Sequence, residues 1–261
     1  MPTGKWYCVN PYFYPMRIYP LSEGNFSIDS TKVFIPFDGD IQNRPPGSII
    51  VQVQPFVVVT EKDIILLDTG LGYFNNQGIL QIHANLMAIG IDPSSVTKVF
   101  LSHLHKDHSG GISYLHPQHQ ERFISFPYAT YYIQKSEYDL ALQSKSASYI
   151  ADQIQLLEAF SKVHWLTQEE GVIENLIHYK ITGGHCLYHQ VCWIKEQAEI
   201  LFFGADVAPQ LQQMKSRFVA KYDLDGKLAM EWRQQWWEKG QSENWKFAFY
   251  HDIKVPTYNA L

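Results

Sequence analysis

The chain has 261 residues, of which 46% are hydrophobic and 18% are charged, and its formal net charge is −5. This composition excludes an intrinsically disordered protein, because such chains combine low hydrophobicity with high charge. It also disfavours a nucleic-acid-binding protein, since no run of Lys and Arg offers a surface to phosphates. The length suits one large domain, and we expect a single domain over residues 1–261.

The amino-terminal segment and the cysteines bear on where the protein works. Cys8, Cys186 and Cys192 are too few for a disulfide framework and fit a reducing compartment. No segment offers about 18 uninterrupted apolar residues, and the first residues lack the apolar core of a signal peptide. We therefore expect a cytoplasmic protein without a membrane span. Residues 1–30 are rich in aromatic residues and prolines, which predicts an extended arm packed on the protein's body or on a second subunit of a homodimer.

Three strands and a helix are predicted before residue 95, and the first strand is a short one over Val33 to Phe37. Ser48 to Thr60 predicts one long strand that bends at Pro55, and Ile64 to Leu67 predicts the strand that returns from a hairpin turn. Leu80 to Ile89 has helical spacing and ends before a glycine. Asp68 ends the third strand, where a buried carboxylate must be hydrogen-bonded or face a site. We expect it to orient a histidine of such a site, and a turn closed by its own side chain is the alternative.

Four side chains that can bind metal ions follow the next predicted strand, Thr97 to Leu101. His103, His105, Asp107 and His108 all lie in the segment SHLHKDHSGG. Side chains two residues apart in extended backbone point the same way, so His103 and His105 could hold one ion. Asp107 and His108 lie where the chain must turn, and could reach a second ion. The alternative, a polar loop rich in histidine, is disfavoured by this spacing directly after a strand.

The segment over residues 112–165 has a less regular pattern, and we expect it to form an insertion beside the site. Within it, Ala129 to Ile133 predicts a strand and Lys135 to Leu142 predicts a helix. Ser146 to Lys162 has apolar residues on one helical face, which predicts a longer amphipathic helix.

Three later strands also end at a histidine or an aspartate. His185 follows a strand and two glycines, Asp206 follows the strand EILFFG, and His251 follows the last predicted strand. The carboxyl ends of strands form the edge of an α/β sheet where ligands bind. Convergence of these residues, together with Asp68 and His103, on one metal centre is the simplest explanation of the pattern.

Residues 209–244 predict a second pocket-forming insertion. They include Gly226 to Lys239, which reads as an amphipathic helix. We expect this helix to pack on the outer face of a sheet, and an apolar wall for a substrate is the alternative.

The segments LLDTG, HLHKDHSGG, TGGH, GAD and FYHD, in this order, resemble those of the metallo-β-lactamase-fold superfamily of hydrolases, and the resemblance runs from Val51 to His251. It implies an α/β fold, namely a four-layer αββα sandwich with the metal site at one edge of the two sheets. It also implies seven metal ligands, which are His103, His105 and His185 for one ion, Asp107, His108 and His251 for the second, and Asp206 as a bridge between the two.

Such a centre has a defined chemistry. Two divalent ions share a hydroxide whose pKa they depress towards neutrality, and they polarise the substrate oxygen. Zinc is expected, and the same imidazole and carboxylate donors suit iron, manganese or cobalt. Asp107 could accept the proton of the nucleophile and donate it to the leaving group. Asp68 would orient a metal-bound histidine.

A second resemblance concerns the branch of the superfamily. Residues 122–137 and 214–225 look like N-acyl homoserine lactonases and methyl parathion hydrolase-like enzymes. In some lactonases a tyrosine a few residues past the bridging aspartate donates to the lactone, but Pro209 stands there in this chain, and Tyr222 is a substitute without positional support. The groups that contact the substrate are therefore not identified from the sequence.

The resemblance implies hydrolysis of an ester-like bond in a small apolar molecule, with a lactone of the N-acyl homoserine type first. Hydrolysis of a phosphotriester, phosphodiester or arylsulfate on the same centre is the alternative. A glyoxalase II-like thioesterase is a further alternative. An iron-dependent oxidoreductase is another, although His105 stands where flavodiiron-type enzymes usually carry a glutamate.

Overall fold

Two six-stranded sheets face each other in the computed structural model, which describes residues 15–116 and 121–260. The first fourteen residues of the predicted arm lie outside this part, so its contact with a second subunit stays a prediction. The strands of the described part are β1 (Arg17–Pro20), β2 (Gly24–Ile28), β3 (Ile35–Pro36), β4 (Ile49–Val53), β5 (Phe56–Val59), β6 (Ile64–Leu67), β7 (Lys98–Phe100), β8 (Ser113–Leu115), β9 (Arg122–Ile124), β10 (Thr130–Gln134), β11 (Val163–Leu166), β12 (Glu170–Ile173), β13 (Ile177–Ile181), β14 (Gln190–Glu196), β15 (Glu199–Phe203), β16 (Lys246–Ala248) and β17 (Thr257–Asn259).

The α-helices are fewer and, apart from one, short. In the described ranges they are α1 (Gln81–Ala88), α2 (Lys106–Ser109), α3 (Lys135–Gln143), α4 (Ala151–Ile154), α5 (Leu211–Met214) and α6 (Gly226–Ser242). None of the helices in these ranges combines the length and apolarity needed to cross a bilayer.

The order of the strands places several strand ends together. The first sheet has the order β1-β5-β6-β7-β10-β11, and the second has the order β12-β13-β14-β15-β16-β17. β6, β7, β10 and β11 run parallel to one another, as the predicted strand, helix and strand require. β15 and β16 are also parallel. Parallel neighbours bring their carboxyl ends to the same edge, which is where a ligand site forms.

Three hydrophobic clusters define the layers. The first lies between the two sheets and includes Phe56 and Leu67 from one sheet and Ile194 and Phe203 from the other. The second joins the outer face of the first sheet to α1, α3 and α4, and the third joins the outer face of the second sheet to α6. Helices therefore cover both outer faces, which confirms the αββα sandwich and the predicted packing of the amphipathic helix on a sheet.

The prediction of one long strand over Ser48 to Thr60 is wrong. The segment forms β4 and β5, and these strands belong to different sheets. Pro55 lacks a backbone N–H, and its carbonyl accepts the Leu21 N–H at 2.7 Å. The buried Gln54 amide donates to the Phe249 carbonyl at 2.8 Å. The chain therefore changes sheets at these two residues.

The prediction of a long helix over Ser146 to Lys162 is also wrong, since only α4 and a short 3₁₀ turn form there. The Ser146 hydroxyl accepts the Ser148 N–H at 3.2 Å, and such local bonds compete with a helix. The Ser148 carbonyl accepts the Lys106 N–H at 2.7 Å, so it is not free for a helical bond. Contacts with the loop that follows β7 therefore override the helical periodicity.

The segments predicted as an arm and an insertion contribute to the sheets. In the described part of the arm, residues 15–30, β1 joins the edge of the first sheet and β2 pairs with β3 and β4 in a small separate sheet. Within residues 112–165, β10 and β11 complete the first sheet. The described part of that segment outside the first sheet consists of β8, β9, α3, α4 and the residues that connect them.

Candidate metal centre

The carboxyl ends of five strands carry the residues that the sequence predicts for a site. These residues come from both sheets, and six of the eight are buried to at least nine tenths, with His185 at that limit and His105 half-buried. They are Asp68 after β6, His103 and His105 after β7, Asp107 and His108 on α2, His185 after β13, Asp206 on a 3₁₀ turn after β15, and His251 after β16.

The two glycines after α2 allow this helix to approach the loop that follows β6. A Cβ at Gly110 would lie 2.3 Å from the Leu71 carbonyl oxygen, and a Cβ at Gly111 would lie 2.1 Å from that of Thr69. Any larger residue would push the two segments apart. The Thr69 N–H donates to the His108 carbonyl at 2.7 Å, which holds the approach in place.

The glycines before His185 serve a different purpose. Gly183 and Gly184 have φ angles of +58° and +70°, in the left-handed region that favours glycine. They turn the chain as it leaves β13. A Cβ at Gly184 would also lie 3.2 Å from that of Ala229 on α6, so the turn packs closely on this helix. His185 is thereby aimed towards the end of β7.

The predicted ligands form two donor groups. The first group is His103, His105, His185 and Asp206, and each residue offers one atom within 4.8 Å of the others' atoms. In this group His185 Nε2 lies 3.0 Å from His105 Nδ1 and 3.2 Å from Asp206 Oδ2.

The second donor group consists of Asp107, His108 and His251, whose donor atoms are equally close. His108 Nε2 and His251 Nε2 lie 3.4 and 3.5 Å from Asp107 Oδ2. Asp206 Oδ1 lies 3.0 Å from each of these two nitrogens. One oxygen of Asp206 therefore faces each group, which is the arrangement that a bridging carboxylate needs.

The outward-facing ring nitrogens of three histidines are hydrogen-bonded to oxygens. His108 Nδ1 lies 2.7 Å from Asp68 Oδ2, His251 Nδ1 lies 2.6 Å from the Gln52 carbonyl, and His185 Nδ1 lies 3.0 Å from Asp223 Oδ1. Because these oxygens accept, the Nδ1 atoms donate, and the Nε2 atoms point inwards, where each can bind a metal ion once it is deprotonated. This is the usual surrounding of metal-binding histidines.

Asp68 has the surroundings expected of an orienting group. Its side chain is fully buried, and its φ angle of +58° lies in the left-handed region. Besides His108, its oxygens accept the Ser102 N–H and hydroxyl, each at 2.7 Å. The carboxylate thus accepts from other segments of the chain, and these contacts favour the orienting role over a turn closed by its own side chain.

The protonation of the two groups differs. Burial, followed by the neighbouring His185, lowers the pKa of His105 to about 3, and burial lowers the pKa of His103 well below its usual range. Burial also opposes charge on His108, but the carboxylates of Asp206, Asp107 and Asp68 outweigh it and raise its pKa well above the usual value. His103 and His105 are therefore neutral imidazoles, whereas the carboxylates around His108 favour its protonated form as long as no metal ion is bound.

These features fit divalent metal ions. His103 Nε2 is buried and has no hydrogen-bond partner among the described residues, which is costly unless a cation binds there. Burial alone would raise the pKa of Asp206, but His108, His251 and His185 lower it well below its usual range, so its oxygens are ionised. Metal ions and protons compete for such atoms.

Two residues that contact the centre, Asp223 and Tyr250, are not predicted by the pattern of the sequence. Asp223, whose side chain is fully buried against His185, lies in a segment without helical or strand periodicity. Tyr250 directly precedes His251; its ring stacks on His108 at 4.0 Å, and its hydroxyl donates to the Asp107 carbonyl at 2.5 Å. Only the position of Tyr250 beside a predicted ligand could have indicated its role.

Replacing Asp223 with asparagine is expected to lower metal affinity at the first donor group by about 10- to 100-fold, because the His185 ring loses its charged acceptor. Competition of the metal-free protein with a chromophoric chelator for Zn²⁺ measures this change. Glu231→Gln, which removes an exposed carboxylate on α6, is the matched control. Equal affinities for Asp223→Asn and the wild type would show that Asp223 does not orient His185.

Two other residues lie near the centre without joining either donor group. The His189 ring packs 5.0 Å from that of His103, and its Nδ1 contacts the Thr182 hydroxyl at 3.2 Å. The Tyr222 ring lies 6.3 Å from that of His185, and its phenolic oxygen accepts from the Gln213 amide at 3.2 Å. Tyr222 thus stands beside the first group, although the sequence offers no positional support for it.

A family model described as the metallo-beta-lactamase superfamily matches residues 50–245 of the chain. Among curated proteins, the N-acyl homoserine lactonase AttM of Azorhizobium caulinodans is 41% identical over 58 residues. That match covers 22% of this chain and 18% of the lactonase, far below two thirds of the relative's length.

Solved structures share the fold at low sequence identity. A probable metal-dependent hydrolase from Staphylococcus aureus has a TM-score of 0.76 and 18% identity, over 94% of this chain and 92% of that one. The dizinc quorum-quenching lactonase AidC, in complex with a product, has a TM-score of 0.68 and 20% identity, over 93% of this chain and 89% of that one.

Proposed function

This chain belongs to the metallo-beta-lactamase superfamily and is a metal-dependent hydrolase, and from that premise we propose that it opens lactones with two divalent ions, zinc first. The observation that carries the proposal is the pair of donor groups that face the two oxygens of Asp206. A centre of this kind serves ester hydrolysis at neutral pH. The lactone is proposed from the similarity to N-acyl homoserine lactonases.

When bound, the ions supply an activated water at neutral pH and polarise the substrate's carbonyl oxygen. Asp107 is the proposed proton acceptor for this water and the donor to the leaving oxygen. Its Oδ2 lies 3.4 Å from His108 Nε2 and 3.5 Å from His251 Nε2, and the Tyr250 hydroxyl donates to its main-chain carbonyl. Asp68, Gln52 and Asp223 keep the three Nδ1 protons on the outside, so the histidines stay oriented throughout a cycle.

The surroundings of His185 favour a small apolar substrate. Leu187 follows it by two residues and is 55% exposed, and Leu224, whose N–H donates to the His185 carbonyl at 3.1 Å, is 64% exposed. The Tyr222 ring lies 6.3 Å from that of His185, and this residue is 41% exposed. Apolar side chains exposed beside a polar centre offer an acyl chain a surface to cover.

A panel of substrates on the zinc-loaded protein tests the proposal. We expect turnover of N-acyl homoserine lactones with a kcat/KM of at least about 10⁴ M⁻¹ s⁻¹, the lower end of the range for dedicated enzymes. The panel also contains a thioester, a phosphotriester, a phosphodiester and an arylsulfate. Where the chemistry allows, their apolar groups match the acyl chain of the lactones in length. Chelator-treated protein without added metal is the control and should be inactive.

The outcome of the panel separates the alternatives. Turnover of a phosphotriester, phosphodiester or arylsulfate without any lactone turnover would replace the lactone by that ester on the same centre. Preference for the thioester would indicate a glyoxalase II-like enzyme. Turnover of every ester by the chelator-treated protein would contradict the metal-dependent mechanism itself.

A further inference from the structure

A buried carboxylate outside both donor groups lies close behind the first of them. Glu137, in the first turn of α3, is 1% exposed, and neither donor group includes it. A carboxylate in this position is costly unless several donors satisfy it. Its partners therefore indicate why it is there.

Three donors from three separate segments converge on Glu137. The Leu104 N–H donates to Oε1 at 3.1 Å, and the Tyr149 hydroxyl donates to the same oxygen at 3.2 Å. The Cys186 thiol lies 3.8 Å from both carboxylate oxygens. These donors are far from Glu137 in the sequence, since they lie 33, 12 and 49 residues away from it.

Two of these donors adjoin a histidine of the first donor group in the sequence. Leu104 lies between His103 and His105, and Cys186 directly follows His185. His103 and His105 follow β7 of the first sheet, whereas His185 follows β13 of the second sheet. The carboxylate of Glu137 therefore ties together two segments that belong to different sheets, at the place where their histidines must meet.

Tyr149 provides a third contact between Glu137 and the first donor group. Its ring lies 4.8 Å from that of His105 at an interplanar angle of 64°, so it limits how far this half-buried imidazole can rotate. Tyr149 in turn is held by its hydrogen bond to Glu137. The neighbouring Ser148 carbonyl accepts the Lys106 N–H at 2.7 Å, which anchors the same segment to the loop that carries His105.

We propose that Glu137 is a positioning residue that holds the three histidines of the first donor group in register by joining the Leu104, Cys186 and Tyr149 segments. The inference rests on the metal centre proposed above. A glutamine at this position keeps one oxygen that can accept from Leu104 and Tyr149, but its NH₂ group cannot accept a hydrogen bond from the Cys186 thiol. An alanine removes all three interactions.

Titration of the metal-free wild type and of Glu137→Ala and Glu137→Gln tests the proposal. Zn²⁺ competition with a chromophoric chelator gives the affinity of each position, and Co²⁺ absorption reports the ligand geometry. We expect Glu137→Ala to lose about 10- to 100-fold in affinity at one position only, with an altered Co²⁺ spectrum. Glu137→Gln should fall between it and the wild type. Circular dichroism checks that each variant is folded.

Asp139→Asn is the matched control, because Asp139 lies on the same helix with its side chain 49% exposed and forms an ion pair with Lys135. It should bind both ions like the wild type. If Glu137→Ala does not fold, Glu137→Gln carries the test alone. Lower thermal stability of the variants with unchanged affinities and an unchanged Co²⁺ spectrum would overturn the proposal. A wild type that binds no ion would instead overturn the proposed function.

Discussion

Replacing His185 or His103 with alanine is expected to remove the ion of the first donor group and to lower kcat/KM by at least about 10³-fold, since such an ion contributes several kcal/mol to transition-state stabilisation. His185 Nε2 lies within 3.2 Å of donor atoms on both His105 and Asp206, so no neighbouring side chain can take its place without moving. Elemental analysis after zinc loading and steady-state kinetics measure the two effects.

His164→Ala is the control for these variants, because this histidine is exposed on β11 and lies outside both donor groups. It should keep the metal content and the turnover of the wild type. Retention of two ions and normal turnover in both His185→Ala and His103→Ala would contradict the assignment of the metal centre.

Replacing Asp206 with asparagine is expected to reduce the metal content from two ions to about one and to lower kcat/KM by about 10²- to 10³-fold. One oxygen of Asp206 faces His108 and His251, and the other faces His185. An amide offers a single acceptor, and its NH₂ group would face the lone pairs of one donor group. The variant can therefore serve one group but not both.

Isothermal titration of the metal-free Asp206→Asn variant with Zn²⁺ measures the number of ions and their affinities. Asp152→Asn, which neutralises an exposed carboxylate on α4, is the control for the change in charge. Two ions bound with wild-type affinity to Asp206→Asn would show that this residue does not bridge the groups.

Much of the fold was predictable because the strands carry local signals. The apolar runs that become β6, β7, β13 and β15 are each followed closely by a glycine, a histidine or an aspartate, and this pattern is visible without any partner strand. The one long strand over Ser48 to Thr60 failed as a prediction because apolar periodicity does not show which sheet a strand joins. Only the contacts of Gln54 and Pro55 with other segments decide it.

The helix predicted over Ser146 to Lys162 failed for a related reason. Its apolar residues do recur at helical spacing, but Ser148 and Tyr149 are held by the loop that carries His105 and by Glu137. Helical propensity is a weak preference, and tertiary contacts override it. Glu137 itself looks like a surface residue of a short amphipathic helix, so nothing local distinguishes it from the exposed Asp139.

The candidate metal ligands can be identified from the amino-acid sequence, because the carboxyl ends of buried strands form the edge of a sheet where ligands bind. How the ligand atoms face one another depends on the tertiary structure. His185 meets His105 across 80 residues and Asp223 across 38, and Glu137 reaches Cys186 across 49. Such contacts depend on how two sheets and their loops pack. This packing is a property of the whole fold and cannot be inferred from the spacing of residues along the sequence.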